Sequence, residues 1–462
     1  MKKINLLLVF CIAFFSINCS LDLPPEDEVS DPDAITSVIS AERALASAYI
    51  SYDAFNDAFY WVLRSDDLQP TTYLSRDISL KNSYDWTDRQ LILDADNLWK
   101  NLYNTIARCN VLLERLQNVN TTSTAEEREL QLIRQRTSYL KALCYFDLLR
   151  IFCPTFGVSG NEAYGILEKS AFNLTNNQQR LSQNQSVSLI NSLLSISAVE
   201  DTNTYYITPD VATILQAKLA LWTGNTSQTI TLAQPIYDKY KAQITSQAVA
   251  TIWSRNTSPL RLFALDTKNT TTSPFMKLEY SATLDDYLVV NSSITFANKD
   301  LRKDVYSIAN PNGQATFLLG KYRKQARERE QASYFTIMRV AELPFLLAEA
   351  YIKQGDKNTA FSMINEVLTA RGATNISSSE TDISALLSIL FTEKRKEFVG
   401  EPLRFFDLKQ NQLPIDRTTS INTTITIPAI DYRWTLPIPA SEKLYNPTIL
   451  QNNGWNVGEG RN

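Results

Sequence analysis

The side chains best able to do chemistry in this sequence gather in two polar, aromatic stretches. Arg64, Asp67, Tyr73, Arg76, Tyr84 and Trp86 fall in or beside SDDLQPTTYLSRDISLKNSYDWTDR (residues 65–89). Lys268, Asn269, Phe275, Tyr280 and Tyr287 fall in the Thr-, Ser- and Asn-rich region 254–317. Aromatic faces stack on flat ligands while guanidinium, carboxylate and amide groups hydrogen-bond to polar ones, so both sets describe binding. Tyr84 and Trp86 stand two residues apart, and in an extended segment they would point the same way as a stacking platform. Packing into a core is the competing use of each ring.

Catalysis finds less support. His is absent from all 462 residues, which removes the commonest general base, the usual proton switch and the commonest zinc ligand together. Adjacent Asp285 and Asp286 are the pair a glycoside hydrolase would need, at a separation of roughly 5 to 9 Å, but no other site feature accompanies them. Arg395, Glu397, Arg404 and Asp407 read as ion pairs that fix the last helix to the tail, and Asp300 with Arg302 reads the same way. No cysteine or carboxylate group has metal-ligand spacing, and no cofactor is implied. With 45 basic and 49 acidic residues the net charge is -4, so no basic field exists to hold nucleic acid.

The elements that must position these stretches are helical. In MRVAELPFLLAEAYIKQGDKNTAFSMINEVLTARG (338–372), apolar residues recur every three or four positions, break at Gly355-Asp356, and resume to Gly372. Small Ala348, Ala350 and Ala360 beside bulky Leu347 and Tyr351 match the tetratricopeptide (TPR) pattern of paired antiparallel helices. Residues 209–242 repeat that layout around Gly224-Asn225. Further helices are expected near 34–64, 96–152 and 385–398. The fold class is therefore mainly α, a TPR-like helical-hairpin scaffold with loop-rich insertions near 65–89 and 254–317 and a few short strands. A C-terminal packing segment fills 400–462, where Leu436, Ile438, Leu444 and Ile449 favour an ordered tail.

The N-terminus sets the compartment. Lys2 and Lys3 precede an apolar run, Ile4 to Ile17, too short for a usual membrane span but right for a signal peptide over 1–18. Ser16-Ile17-Asn18-Cys19 resembles a bacterial lipobox, which makes Cys19 the lipid anchor, and the acidic, Pro-bearing stretch 19–33 suits a tether to a single domain over 34–462. Cys109, Cys144 and Cys153 then remain as buried thiols, an odd number without a disulfide framework.

Three motifs in order resemble the SusD/RagB family of outer-membrane lipoproteins. The hairpin 338–372 is similar to that family's helix, Gly-Asp turn and partner helix. Glu393 to Phe398 with GEPLRFFDL (400–408) is similar to its Glu-Phe-x-Gly-Glu segment, and the tail from Pro437 to its Pro- and Asn-rich ending. Phe405 and Trp455 stand where Trp and Tyr are usual. The resemblance implies a surface-exposed binding protein, not an enzyme, that delivers an oligosaccharide, or in some relatives a peptide, to a SusC-like TonB-dependent transporter. Sugar rings would stack on the loop aromatics above. A TPR-type assembly scaffold is the rival reading, its partner held in a groove of the repeats.

Overall fold

Side-chain caps and apolar periodicity bound several helices of the chain. The computed structural model describes residues 35–69, 77–170, 178–196, 199–246, 249, 251–254, 257–266, 289–309, 317–321, 334–377, 382–418 and 424–456. The N-terminal helices are α1 (Val38–Ser51), α2 (Ala54–Arg64), α3 (Ile78–Tyr84), α4 (Asp88–Arg115), α5 (Thr124–Phe152) and α6 (Gln183–Leu194). The central ones are α7 (Pro209–Trp222), α8 (Thr226–Ser246), α9 (Thr251–Ser254) and α10 (Arg302–Tyr306). The C-terminal ones are α11 (Glu342–Gln354), α12 (Lys357–Ala370), α13 (Ile383–Phe398), α14 (Leu403–Gln410) and α15 (Ala440–Tyr445). Ser37, Ser123 and Ser182 cap α1, α5 and α6 through the amides of Ser40, Glu126 and Gln185. Thr208 caps α7, whose first residue, Pro209, occupies the helix position where proline sacrifices no hydrogen bond.

The repeated unit is the pair α7–α8 and the pair α11–α12. Each turns on a glycine of positive φ, Gly224 at 79° and Gly355 at 86°, a backbone that side chains disfavour. Ala217, Ala348 and Ala350 are fully buried, and they let α8 close against α7 and α11. Upstream, α1, α4 and α5 pack together, α6 lies on α5, and α6 meets α7, so the helices follow one another as stacked hairpins.

The axis of this stack is α5, in which every residue from Gln135 to Leu149 is buried. Pro154 forbids continuation, which leaves the last carbonyls of the helix without intrahelical donors. Distant residues supply them. Lys409 Nζ donates to Arg150 O at 2.6 Å and to Cys153 O at 3.0 Å, and the Leu436 amide donates to Ile151 O at 3.0 Å. Arg180 Nη2 and Asn452 Nδ2 both donate to Phe152 O at 2.9 Å. Two cations thus meet the negative end of the helix dipole, and the C-terminal tail is pinned across it. Burial nevertheless pushes the Lys409 ammonium down to about 7.

The strands are β1 (Leu68–Gln69), β2 (Arg261–Asp266), β3 (Val289–Val290), β4 (Ser307–Ala309), β5 (Phe317–Leu319), β6 (Tyr334–Arg339), β7 (Ile415–Thr418) and β8 (Thr424–Ile427). They form an antiparallel sheet of order β1-β3-β5-β4 and two ribbons, β2-β6 and β7-β8. The residues Met338 and Arg339, expected at a helix start, therefore end a strand. Helix α4 begins at Asp88, eight residues before the expected 96, and α6 was not legible as a helix in its polar sequence.

Beneath β6 lies a buried ion network. Glu397 receives Arg339 Nη1 at 2.7 Å and Arg371 Nη2 at 2.9 Å, while Arg302 Nη2 reaches Glu393 at 2.8 Å and Asp300 at 2.7 Å. Burial alone would raise Glu397, yet Arg371, Arg339 and Arg302 hold it well below the usual carboxylate range. All four expected side chains are ion-paired, but none fixes the last helix to the tail: Glu397 ties α13 to β6 and the end of α12, Arg395 and Arg404 reach Asp66 and Asp67 beside β1, and Asp407 pairs with Lys394 of α13.

Candidate functional site

The four-stranded sheet decides which chain segments share one pole. Gln69 at the end of β1 lies opposite Val289 at the start of β3, and Val289 lies opposite Leu318, one residue from the end of β5. The chain therefore leaves β1 toward residues 70–76, arrives at β3 from 267–288, and leaves Lys321 toward 322–333 from neighbouring points. Tyr73, Arg76, Lys268, Asn269, Phe275, Tyr280 and Tyr287 all belong to these connections and lie outside the described residues. Asp285 and Asp286 do so as well.

The remaining expected site residues turn inward. Arg64 pairs with Asp94 beneath the Tyr60 and Trp61 rings, and desolvation lowers its guanidinium from the ordinary range. Asp67 is fully buried with its Oδ1 3.1 Å from Arg395 Nε; burial pushes its carboxyl up to about 6 against the pull of that arginine. Tyr84 and Trp86 are 0% and 1% exposed. The extended stacking platform does not exist, because 78–84 is helical and both rings are buried, Trp86 against the end of α2 and Tyr84 against β1 and β7. Trp86 Nε1 donates to Arg64 O at 3.2 Å, while Tyr84 Oη donates to Leu68 O at 3.2 Å and to Thr418 O at 2.8 Å. Arg417, stacked on Tyr84 at 3.9 Å, supplies Leu63 O at 2.7 Å and also bonds Ser65 O and Tyr84 O. Trp86 itself has φ 54°, and its ring meets Trp434 edge-on at 4.9 Å and Phe405 at 5.9 Å.

A half-buried polar cluster, missed in the sequence, borders the sheet instead. Arg404 grips Asp66 through both oxygens at 2.8 and 2.9 Å. Arg395 Nη1 donates to Ser293 Oγ at 3.0 Å, and Asn291 Nδ2 donates to Asp66 O at 2.9 Å. Burial would raise Asp66, but Arg404 and Arg395 outweigh it and hold the carboxyl low. The sequence marked Asp67 as a site residue and Arg395 and Arg404 as ion-pairing residues, but not their partnership, since Asp66 lies more than three hundred residues from both arginines. Exposed Ser292 and Ser293 and half-buried Asn291 carry hydroxyls and an amide at the opposite end of β1 and β3 from the connections 70–76 and 267–288, where Ser292 also receives Gln69 Nε2 at 2.9 Å.

A second feature is a small cleft enclosing ≈ 50 Å³ between α5, α7, α11, α13 and α14. Phe146, Trp222 and Phe406 line it with the ion pairs Lys218–Glu342 and Lys394–Asp407, each at 2.5 Å. Its charges already neutralise one another. Among the described residues no group of three or more carboxylate or thiol side chains is arranged to hold a metal ion.

Stacked helical hairpins carrying a small antiparallel sheet define a helical-hairpin scaffold. The family is explicit: this chain belongs to the SusD family, whose model matches residues 200–455. A second model, described as starch-binding associating with outer membrane, matches residues 27–223. Among solved structures, a SusD superfamily protein of Bacteroides thetaiotaomicron superposes with a TM-score of 0.73 at 19% identity, covering 90% of this chain and all of the other. One of Bacteroides vulgatus gives 0.74 at 19% identity over 91% and 99% of the two chains. A SusD-like carbohydrate binding protein, also of Bacteroides vulgatus, gives 0.71 at 16% identity over 90% and 97%. A search of curated proteins finds no match.

Proposed function

We propose that this chain is an outer-membrane lipoprotein that binds oligosaccharide and passes it to a SusC-like TonB-dependent transporter, without catalysing a reaction. The observation that carries this reading is family membership along the chain, joined to the description of the second matching model. One similar structure belongs to a carbohydrate binding protein. Tyr73, Arg76, Lys268, Asn269, Phe275, Tyr280 and Tyr287 supply the ring faces and polar groups, and Arg64, Asp67, Tyr84 and Trp86 support them from the core. Attachment rests on Cys19 at the end of the lipobox-like Ser16 to Cys19, whose acyl chains would each contribute about 0.8 kcal/mol per buried CH₂.

Calorimetric titration against a panel of oligosaccharides and peptides tests the ligand class. Saturable glycan binding that falls at least tenfold in Tyr280→Ala or Tyr287→Ala supports the reading, whereas binding of peptides alone moves the chain to the peptide-binding branch. Cys19→Ala should sharply lower the membrane-bound share of the protein on fractionation, and a TonB-dependent barrel should co-purify with the unaltered chain.

A further inference from the structure

The C-terminal tail carries outward apolar side chains that nothing among the described residues covers. Twelve large hydrophobic residues are exposed among those described, and five of them fall between Ile430 and Leu450. Ile430, Leu444 and Tyr445 are 87%, 74% and 82% exposed, so their side chains stand clear of the surface and do not line a groove. Tyr432 and Leu450 of the same tail are exposed as well, and so is Leu93 on α4. Contacts along α4 fix the neighbourhood: Tyr432 Oη bonds Asp88 at 2.8 Å, Ser441 bonds Asp96, and Trp99 Nε1 bonds Glu442 at 3.3 Å. The tail cannot fold this face inward, because its other face is already committed through Leu436, Ile438, Asn452 and Trp455.

We infer that this face rests on the lipid surface to which the chain is tethered. The inference depends on the proposed anchor at Cys19 for its geometry. Ser47 bonds Arg108 and Ser51 bonds Thr105, so α1 runs antiparallel to α4 and the tether begins near the C-terminal end of α4. The tail face lies toward the other end, roughly 30 to 40 Å away at about 1.5 Å per residue. The chain from Cys19 to Ile35 reaches roughly 55 Å when extended, so anchor and tail can meet one membrane. Projecting aliphatic side chains with tyrosines beside them match the residues that partition into a lipid interface. The charges at their base are largely held: Glu442 by Lys169 and Trp99, Asp431 by Arg433. Lys443, half-buried next to Leu444, can extend its ammonium toward headgroups.

Vesicle flotation of the mature chain carrying Cys19→Ala, which removes the lipid, tests the face directly. Vesicles of phosphatidylcholine, and of an equal mixture of phosphatidylcholine and phosphatidylglycerol, are the probes. The chain should float with them, and Leu444→Ser with Tyr445→Ser should lower partitioning by about tenfold or more, the factor expected for burying one leucine-sized side chain. Thermal unfolding should be unchanged, which separates loss of binding from loss of fold. Absence of flotation, or equal flotation of the variant, overturns the inference. So does a variant that loses co-purification with a barrel or loses self-association while vesicles bind neither form, since the face then belongs to a protein partner. Membrane fractionation of Cys19→Ala in cells reads the anchor separately, so either idea can fail without the other.

Discussion

The stretch 65–89 and the tail 430–456 invert what their compositions promise. The first is polar and was expected to present Tyr84 and Trp86 to a ligand, yet it buries both rings. The second was expected to pack through Leu436, Ile438, Leu444 and Ile449; three of them enter the core together with Trp434 and Trp455, but Leu444 stands exposed. The difference lies in where helix ends fall. Helix α2 ends inside the protein, and its bare carbonyls draw in the indole of Trp86 and the guanidinium of Arg417. Helix α15 is a six-residue turn near the surface with no buried residue, so its apolar side chains have nothing to fill. A buried helix terminus recruits polar-edged aromatics, and a surface terminus leaves apolar ones outside.

The comparison breaks most directly at Trp86. Trp86→Ala should destabilise the protein by about 3 to 5 kcal/mol, through a cavity against Phe405 and Trp434 and an unsupplied carbonyl at Arg64. Urea unfolding measures this, and a loss under 1 kcal/mol would mean the ring is not part of the core. Ala350→Leu, at a fully buried position of α11, should cost about 1 to 3 kcal/mol by overpacking in the same measurement.

The end of α5 tests whether helix carbonyls govern the tail as well. Arg180 also bonds Tyr164 O, Gly165 O and Asn452 Oδ1, so Arg180→Ala should cost about 1 to 3 kcal/mol and loosen the tail. Hydrogen exchange should then rise at Leu436 and Asn452 while α11 stays protected; uniform protection would show the tail is held by its apolar contacts alone.

Much of the scaffold was legible because local rules write it. Gly224 and Gly355 mark turns, and the alanines of α7 and α11 mark close packing, within a single stretch of sequence each. RLFALD reads as a strand and is one. The site was less legible because its groups are joined across long separations. Asp66 and Arg404, or Tyr84 and Thr418, give no local sign of each other. Helix α6 failed for a different reason: its polar face and glutamines resemble a linker, and only packing on α5 fixes it as helix.

Asp67 gives a smaller and pH-dependent effect. Its folded carboxyl is raised from 3.8 to about 6 by burial, so folding favours the protonated form. That stabilising contribution is fully present below the unfolded value and is lost as pH rises through the folded one. The unfolding free energy of the native chain minus that of Asp67→Asn should therefore fall between pH 3.8 and about 6 and level off above it. A flat difference across that window would place Asp67 in solvent, where it could meet a ligand after all.

The smallest expected effect sharpens the comparison from its exposed side. Leu444 and Tyr445 touch solvent over most of their surface, and α15 has no buried residue, so removing either side chain creates no cavity and strands no hydrogen bond. Leu444→Ser and Tyr445→Ser should each change the unfolding free energy by no more than about 0.5 kcal/mol. Ile438→Ser, six residues earlier in the same tail and fully buried, should lose several times more, since it strands a hydroxyl beneath Gln451 and empties a core position. Equal losses at Leu444 and Ile438 would mean that α15 folds back onto the body in solution. In that case the contrast between a buried and a surface helix end would not explain the two stretches.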